Sequence, residues 1–319
     1  MLCNNNSVQF NAEKDIPSLE GRVILVTGGS GGLGKQAVLE YARHNPRLIW
    51  LAARSIQKAN AAVDEIRQQV PGAAIQVVEL DLASFASIKN GAATVLSASP
   101  RLDILMLNAG IMAVPSGQTA EGYEVQFGTN HMGHALLTKL LLPLLTKTAA
   151  GEGRDVRIVT LSSDGHSWAS KTGIDFATLK TCGEGLGPLG CYGQSKLANI
   201  LWTRQLARAH PQFTVASVHP GVVGTQIMEN ARGTPAMLRT LVRGAVHLGL
   251  ITSVETGVRN QLWASVAPSG DGRRLVSGGY YVPVGVAGQE SALAKDEELA
   301  RRLWEWTDKE LEGHTVAAP

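Results

Sequence analysis

The sequence predicts an α/β protein, a doubly wound parallel sheet of about seven strands held between two helical layers, three layers in all. Three observations carry this prediction. Short β-rich runs recur along the chain, stretches with helical spacing separate most of them, and the first run leads straight into a cluster of glycines. Strands that read as continuous apolar runs are buried on both faces, and their alternation with helices implies a parallel sheet covered on either side.

The β-rich runs are Val23–Thr27, Leu48–Ala52, Ile75–Leu80, Ile104–Leu107, Val156–Leu161 and Thr214–Val218. Helical spacing covers Lys35–His44, Ala59–Val70 and Phe85–Leu96. The apolar run from Ala135 to Leu145 is interrupted by Lys139 and Pro143 and is too short to span a bilayer, so it reads as a buried helix. A last strand is expected at Tyr280 and Tyr281, followed by a charged helix from Asp296 to Leu311.

Two regions break the rhythm. Between Ser163 and Tyr192 lie Gly183, Gly185, Gly187, Pro188 and Gly190, which read as a flexible loop. From Pro235 to Thr252 the spacing predicts an amphipathic helix with Arg239, Arg243 and His247 beside a stripe of Met237, Leu238, Leu241, Val242, Val246 and Leu250. Residues 1–18 are polar and patternless and read as a mobile arm. With no linker or composition shift beyond them, residues 19–319 read as one domain.

Composition narrows the function. Of 319 residues, 44% are hydrophobic and 18% charged, enough for a large core, and the formal net charge is only +2. No run of Lys or Arg marks a nucleic-acid surface. Cys3, Cys182 and Cys191 are few, odd in number and irregularly spaced, which points away from a disulfide framework and toward a reducing, cytoplasmic setting. The start, Met1-Leu2-Cys3 and then asparagines, lacks the basic and apolar segments of a signal peptide.

The first strand runs into Thr27-Gly28-Gly29-Ser30-Gly31-Gly32-Leu33-Gly34. Glycines at this place let the main chain turn tightly and approach a pyrophosphate, while the next helix offers its unpaired N–H groups, the arrangement of a Rossmann-type nucleotide site. In such folds an acidic residue about 20 positions on bonds the ribose 2′-hydroxyl. Here that place holds Arg54, in Leu51-Ala52-Ala53-Arg54-Ser55, with no carboxylate nearby. A guanidinium can pair with a 2′-phosphate, which a carboxylate would repel. The expectation is NADP(H) rather than NAD(H), with a solvated surface arginine as the alternative for Arg54.

Farther on, Tyr192-Gly193-Gln194-Ser195-Lys196 puts Tyr192 and Lys196 on one face of a helix. A neighbouring ammonium should lower the pKa of the phenol and make it a usable acid or base.

Taken with the glycine motif, these residues resemble the short-chain dehydrogenase/reductase family over nearly the whole chain from Gly21 to about Gly285. The family's three key glycines look like Gly28, Gly32 and Gly34, with Ser30 and Leu33 between them. Its adenine-contacting acid resembles Asp81, followed by Leu82, and its Asn-Ala-Gly signature stands as Asn108-Ala109-Gly110. The motif after the sixth strand appears as His219-Pro220-Gly221-Val222-Val223-Gly224-Thr225, which adds Pro220, Gly221, Val223 and Thr225 to the expected cofactor contacts.

The resemblance implies roles for the catalytic residues. Tyr192 would pass a proton to or from the substrate oxygen. Ser163 would hydrogen-bond the same oxygen. Lys196 would tune Tyr192 and hold the nicotinamide ribose, and Asn130 would position a water. Ser162 is the alternative to Ser163, since adjacent residues at a strand end point to opposite faces. Phe127-Gly128-Thr129-Asn130-His131 and Gly279-Tyr280-Tyr281-Val282-Pro283 are similar to the retinol-dehydrogenase-like branch, which includes oxidoreductases carrying WW domains. The chain is expected to differ from that branch in having neither a WW module nor an N-terminal membrane anchor.

Other signals have plainer readings. His131 and His134 are spaced as two metal ligands could be, but no third is evident, so a structural role is expected and no metal. His166 and Trp168 could touch substrate or pack a loop, and core packing is the default for His219. The segment around 225–252 reads, by the resemblance, as a lid over a small lipophilic carbonyl or alcohol. An oligomer contact and attachment to a membrane surface are its alternatives, and monomer and dimer both stay open. The resulting expectation is an NADP(H)-dependent carbonyl reductase or alcohol dehydrogenase. The rivals are a protein that senses NADP(H) without turnover and a non-redox isomerase or cyclase using the same site.

Overall fold

The computed structural model describes residues 7–151, 155–224, 252–270 and 275–315. In chain order these form α1 (Ala12–Asp15), β1 (Val23–Thr27), α2 (Gly32–Ala42), β2 (Leu48–Ala53), α3 (Ile56–Gln69), β3 (Ile75–Glu79), α4 (Phe85–Ala98) and β4 (Ile104–Leu107). There follow a short helix α5 (Val125–Phe127), a π-turn at Gly128–Met132, α6 (Gly133–Ala149), β5 (Val156–Leu161), a 3₁₀ turn at Asp164–Trp168, α7 (Gly187–Ala209) and β6 (Phe213–Val218). The remainder is α8 (Val254–Gly257), α9 (Arg259–Val266), β7 (Tyr280–Val282), β8 (Val286–Ala287) and α10 (Glu297–Glu310).

The sheet has the order β3-β2-β1-β4-β5-β6-β7-β8, reversing direction of travel at β1 and β4. Val26 of β1 stands opposite Leu51 on one side and Met106 on the other. All pairs are parallel except β7 with β8, so an eighth, antiparallel edge strand joins the expected seven. Every residue of β1, β4 and β5 is buried, as the unbroken apolar runs required.

Alternate side chains along the strands feed two cores. Val23, Leu25, Trp50 and Leu105 pack with α4, α6, α7 and α10 on one face. Ile24, Val26, Ile49, Leu51 and Met106 pack with α2, α3 and α9 on the other. At about 25 cal/mol per Å² of apolar surface removed from water, two such layers are what hold the three-layer stack together.

Two expectations change. The stretch 1–18 is not wholly an arm: Phe10 and Ile16 are buried against α9's side of the sheet, and the Val8 N–H bonds Val284 O at 2.9 Å. Sparse apolar residues without period hid this packing. The helix carrying Tyr192 begins earlier, at Gly187 with Pro188 in its first turn, where the fixed φ of proline suits a helix start. The helix expected over Pro235–Thr252 lies, apart from Thr252, outside the described residues. Among the described residues no helix is long and apolar enough to cross a membrane.

Candidate active site

β1 ends in Thr27, and the chain then turns at Gly28 with φ +67°, a conformation that a Cβ would strain. A Cβ there would also stand 3.0 Å from Ala109 Cα, and one at Gly34 would overlap the Gly28 carbonyl and the Asn108 side chain. These glycines are therefore what lets two turns, after β1 and after β4, lie against each other. Thr27 locks the contact. Its Oγ1 accepts the Asn108 and Ala109 N–H groups at 2.9 and 3.0 Å, and its carbonyl accepts from Asn108 Nδ2 at 2.8 Å.

α2 starts at Gly32 with no side-chain cap, and its first-turn residues Gly32, Leu33 and Gly34 line the cleft with the positive end of the helix dipole behind them. The residues fit a dinucleotide. An open cradle and an uncapped helix end suit the pyrophosphate. Arg54 and Lys58 line the far end of the cleft beyond β2, both exposed, and Ser55 between them caps α3 by accepting the Lys58 N–H at 3.3 Å. Asp81 lies beside Leu82 along the same wall, with Oδ1 accepting the Ala83 N–H at 3.0 Å.

The residues expected to be catalytic come from three other elements. Ser163 follows β5, and its Oγ accepts the Gly165 N–H at 3.0 Å as the N-cap of the 3₁₀ turn. Ser162 turns inward instead, its hydroxyl donating to the Lys196 carbonyl at 2.8 Å. Tyr192 and Lys196 sit on one face of α7, with Nζ 5.7 Å from the centre of the phenol ring. Lys196 Nζ donates to the Leu161 carbonyl at 2.9 Å.

The electrostatics differ from what the spacing implied. Burial pushes the Tyr192 phenol up to about 12, and its hydrogen bond with Ser163 draws it only partly back. Burial pushes the Lys196 ammonium down to about 8. At this separation desolvation outweighs the attraction between ammonium and phenolate, so Tyr192 stays protonated at neutral pH, the state of a proton donor.

The cleft brings together the expected cofactor and catalytic residues from Gly28 to Val223, Asn130 excepted. Asn130 lies behind the wall in the π-turn, fully buried. Its Oδ1 accepts the Ile111 N–H at 2.8 Å, and its Nδ2 donates to the Ile111 carbonyl and to Ser195 Oγ, each at 2.9 Å. Thr225 lies outside the described residues.

Of the weaker signals, His131 and His134 are buried and bonded to Thr307 and Thr27 respectively. His166 Nδ1 bonds the Ser163 carbonyl at 2.7 Å, whereas Trp168 is 50% exposed at the cleft and tilts against Tyr192 with centroids 6.1 Å apart. His219 also faces the cleft, and its Nε2 pairs with Asp164 Oδ2 at 3.2 Å instead of simply filling core. Lys58 and Thr27 were missed in the sequence. Each had a signal: a cation one helical turn beyond Arg54, and a hydroxyl at the last strand position before the glycines.

A family model for short chain dehydrogenase matches residues 22–236. The chain belongs to the short-chain dehydrogenase/reductase family. The short-chain dehydrogenase/reductase drtF of Aspergillus calidoustus is 37% identical over 308 residues, 93% of this chain and 95% of that one. Human retinol dehydrogenase 13 is 36% identical, covering 90% of this chain and 83% of its own length. These relatives place the chain in the retinol-dehydrogenase-like branch. A solved structure from Mycobacterium Paratuberculosis superposes with a TM-score of 0.71 at 29% identity, over 95% of this chain and 97% of that one.

Proposed function

We propose that this oxidoreductase interconverts a carbonyl and an alcohol on a small lipophilic substrate, with NADP(H) as the redox partner and Ser163, Tyr192 and Lys196 as the working residues. The observation that carries the reading is the shared cleft: Ser163, Tyr192 and Lys196 line the same space as the Gly28–Gly34 turn. NADPH, when bound, supplies the hydride.

In reduction, Tyr192 gives its phenolic proton to the substrate oxygen as negative charge develops there. Ser163 holds that oxygen through its hydroxyl, and the two donors together act as a preorganised oxyanion site. Lys196, charged below about pH 8, stabilises the phenolate that the transfer leaves. Asn130 keeps Ile111 and Ser195 fixed, which steadies both walls around the reacting atoms. Arg54, with Lys58 beside it, would pair with the 2′-phosphate and favour NADP(H) over NAD(H).

Met112, Val114, Trp168 and Val222 supply apolar surface beside the catalytic residues, and such surface favours apolar ligands. The human and mouse relatives are named for retinol, an alcohol of that kind. In the cytoplasm, where NADPH is kept reduced, the reaction would run toward the alcohol.

The test is NADPH consumption, beside NADH, with decanal, 2-decanone, menadione and all-trans-retinal. The reading expects turnover with at least one of them and a preference for NADPH. Tight NADPH binding with no consumption across the panel would favour the sensing protein instead.

A further inference from the structure

No step of the proposed reaction uses His134. It lies near the start of α6, four residues after Asn130, and is 2% exposed. Both ring nitrogens are bonded: Nδ1 is 3.1 Å from the Asn130 carbonyl oxygen and Nε2 is 2.9 Å from Thr27 Oγ1. The partners fix which nitrogen carries the proton. A carbonyl has none to give, so Nδ1 donates to it. Thr27 Oγ1 already accepts the N–H groups of Asn108 and Ala109, which fill the two lone pairs of a hydroxyl. Its own proton then goes to Nε2, since the other acceptor within reach, the Met106 carbonyl, is at 3.4 Å. His134 is therefore a neutral imidazole with its proton on Nδ1. Burial pushes its pKa down to about 3 against the pull of the Asn130 bond, which agrees with that state.

The bonds continue on either side. Toward the nucleotide, Thr27 holds the Asn108–Ala109 turn against Gly28. Toward the chemistry, Asn130 Nδ2 donates to Ser195 Oγ, and Ser195 donates to the Tyr192 carbonyl at 2.7 Å. Asn130 belongs to the π-turn that precedes α6, and such turns shift the main chain out of the regular helical pattern. An apolar ring there would fill the space but leave the Thr27 hydroxyl proton and the Asn130 carbonyl without their imidazole partners.

We propose that His134 is a positioning residue, a fixed Nδ1-protonated bridge that ties the nucleotide turn at Thr27 and Ala109 to the Asn130–Ser195–Tyr192 chain. Through it the cofactor cradle and the catalytic tyrosine keep one geometry. The kinetic part of this inference rests on the oxidoreductase reading, while the bonding part stands without it.

The first arm of the test is nitrogen-15 NMR of the wild-type imidazoles, assigned with His134→Asn. The bridge expects His134 to show a protonated Nδ1 and an unprotonated Nε2, unchanged from about pH 5 to 8. An imidazolium, or the proton on Nε2, would overturn it. The second arm compares His134→Phe with His134→Asn, whose amide can still donate to the Asn130 carbonyl. With the panel carbonyl that the wild type turns over, His134→Phe should lose about tenfold in kcat, the equivalent of one hydrogen bond of ~1.4 kcal/mol, with KM for the carbonyl unchanged. His134→Asn should restore kcat to within about threefold of wild type, a rescue that follows the retained bond. Equal losses in both variants that track their melting temperatures would mean that His134 only fills the core. If the wild type turns over no carbonyl at all, the function reading fails, and the NMR arm still decides the bridge.

Discussion

The two ends of the cleft are built on different principles. The nucleotide end is largely main chain: the turn of Gly28, the uncapped start of α2 and the Asn108–Ala109 turn, locked by Thr27. The proposed catalytic end is side chain: Ser163 from the end of β5, Tyr192 and Lys196 from α7, and Asn130 from the π-turn. A pyrophosphate is recognised by N–H groups that any sequence possesses, provided that glycine lets them come close. Proton transfer instead needs particular side chains held at particular depths, and burial there resets their pKa values. The comparison teaches that binding and chemistry should fail separately in variants.

Tyr192→Phe should produce the largest effect, a loss of about 10²–10⁴ in turnover, because it removes the proposed proton donor and leaves the cradle intact. Its NADPH dissociation constant, read by fluorescence titration, should stay within about threefold of wild type. Parallel loss of binding would dissolve the separation. Ser163→Ala removes one donor to the developing oxyanion and should cost about 10²-fold or more in kcat with a smaller change in KM.

Gly34→Val attacks the other end. Its side chain must displace the Gly28 carbonyl and the Asn108 amide. Overpacking of about 1–3 kcal/mol corresponds to roughly five- to 150-fold in NADPH affinity. Unchanged affinity would show that the turn can open at little cost. Arg54→Ala should reduce the preference for NADPH over NADH by about tenfold, the worth of one charged hydrogen bond, without lowering kcat at saturating cofactor. A preference that does not move would make Arg54 a solvated arginine.

The smallest effect is on pH. Lys196 carries its charge below about 8 and loses it above, while Tyr192 stays protonated until about 12. The reductive kcat should therefore decline as pH rises through about 8, and a flat profile to pH 10 would separate Lys196 from the proton step.

The same contrast explains what the sequence made legible. The nucleotide end could be read because its residues are contiguous and its glycines follow an unbroken apolar strand; β1, β4 and β5 stand at the residues that the runs marked. Ser163, Tyr192 and Lys196 could be named through their motifs, but not their environment. The phenol was expected to be lowered by Lys196, whereas burial raises it, and burial is set by residues distant in the chain. β8 escaped notice because two residues carry no periodicity. Phe10 and Ile16 escaped it because isolated apolar side chains declare no partner until the sheet exists. Thr27 and Ser195 are unremarkable singly, and the spacing of His134 pointed only to a metal pair or a structural role; the hydrogen bonds that join them close between β1, the π-turn, α6 and α7.

The most direct measurement of the central claim follows the hydride itself. NADPH deuterated at C4, prepared as each of its two stereoisomers, is incubated with the enzyme and an aldehyde or ketone of the panel that it consumes (not the quinone, whose reduced form keeps no hydride on carbon), and the product is read by mass spectrometry. The account predicts deuterium on the carbinol carbon from one stereoisomer, with one NADPH oxidised for each alcohol formed. Product free of deuterium from both stereoisomers, or formed with no loss of NADPH, would contradict it.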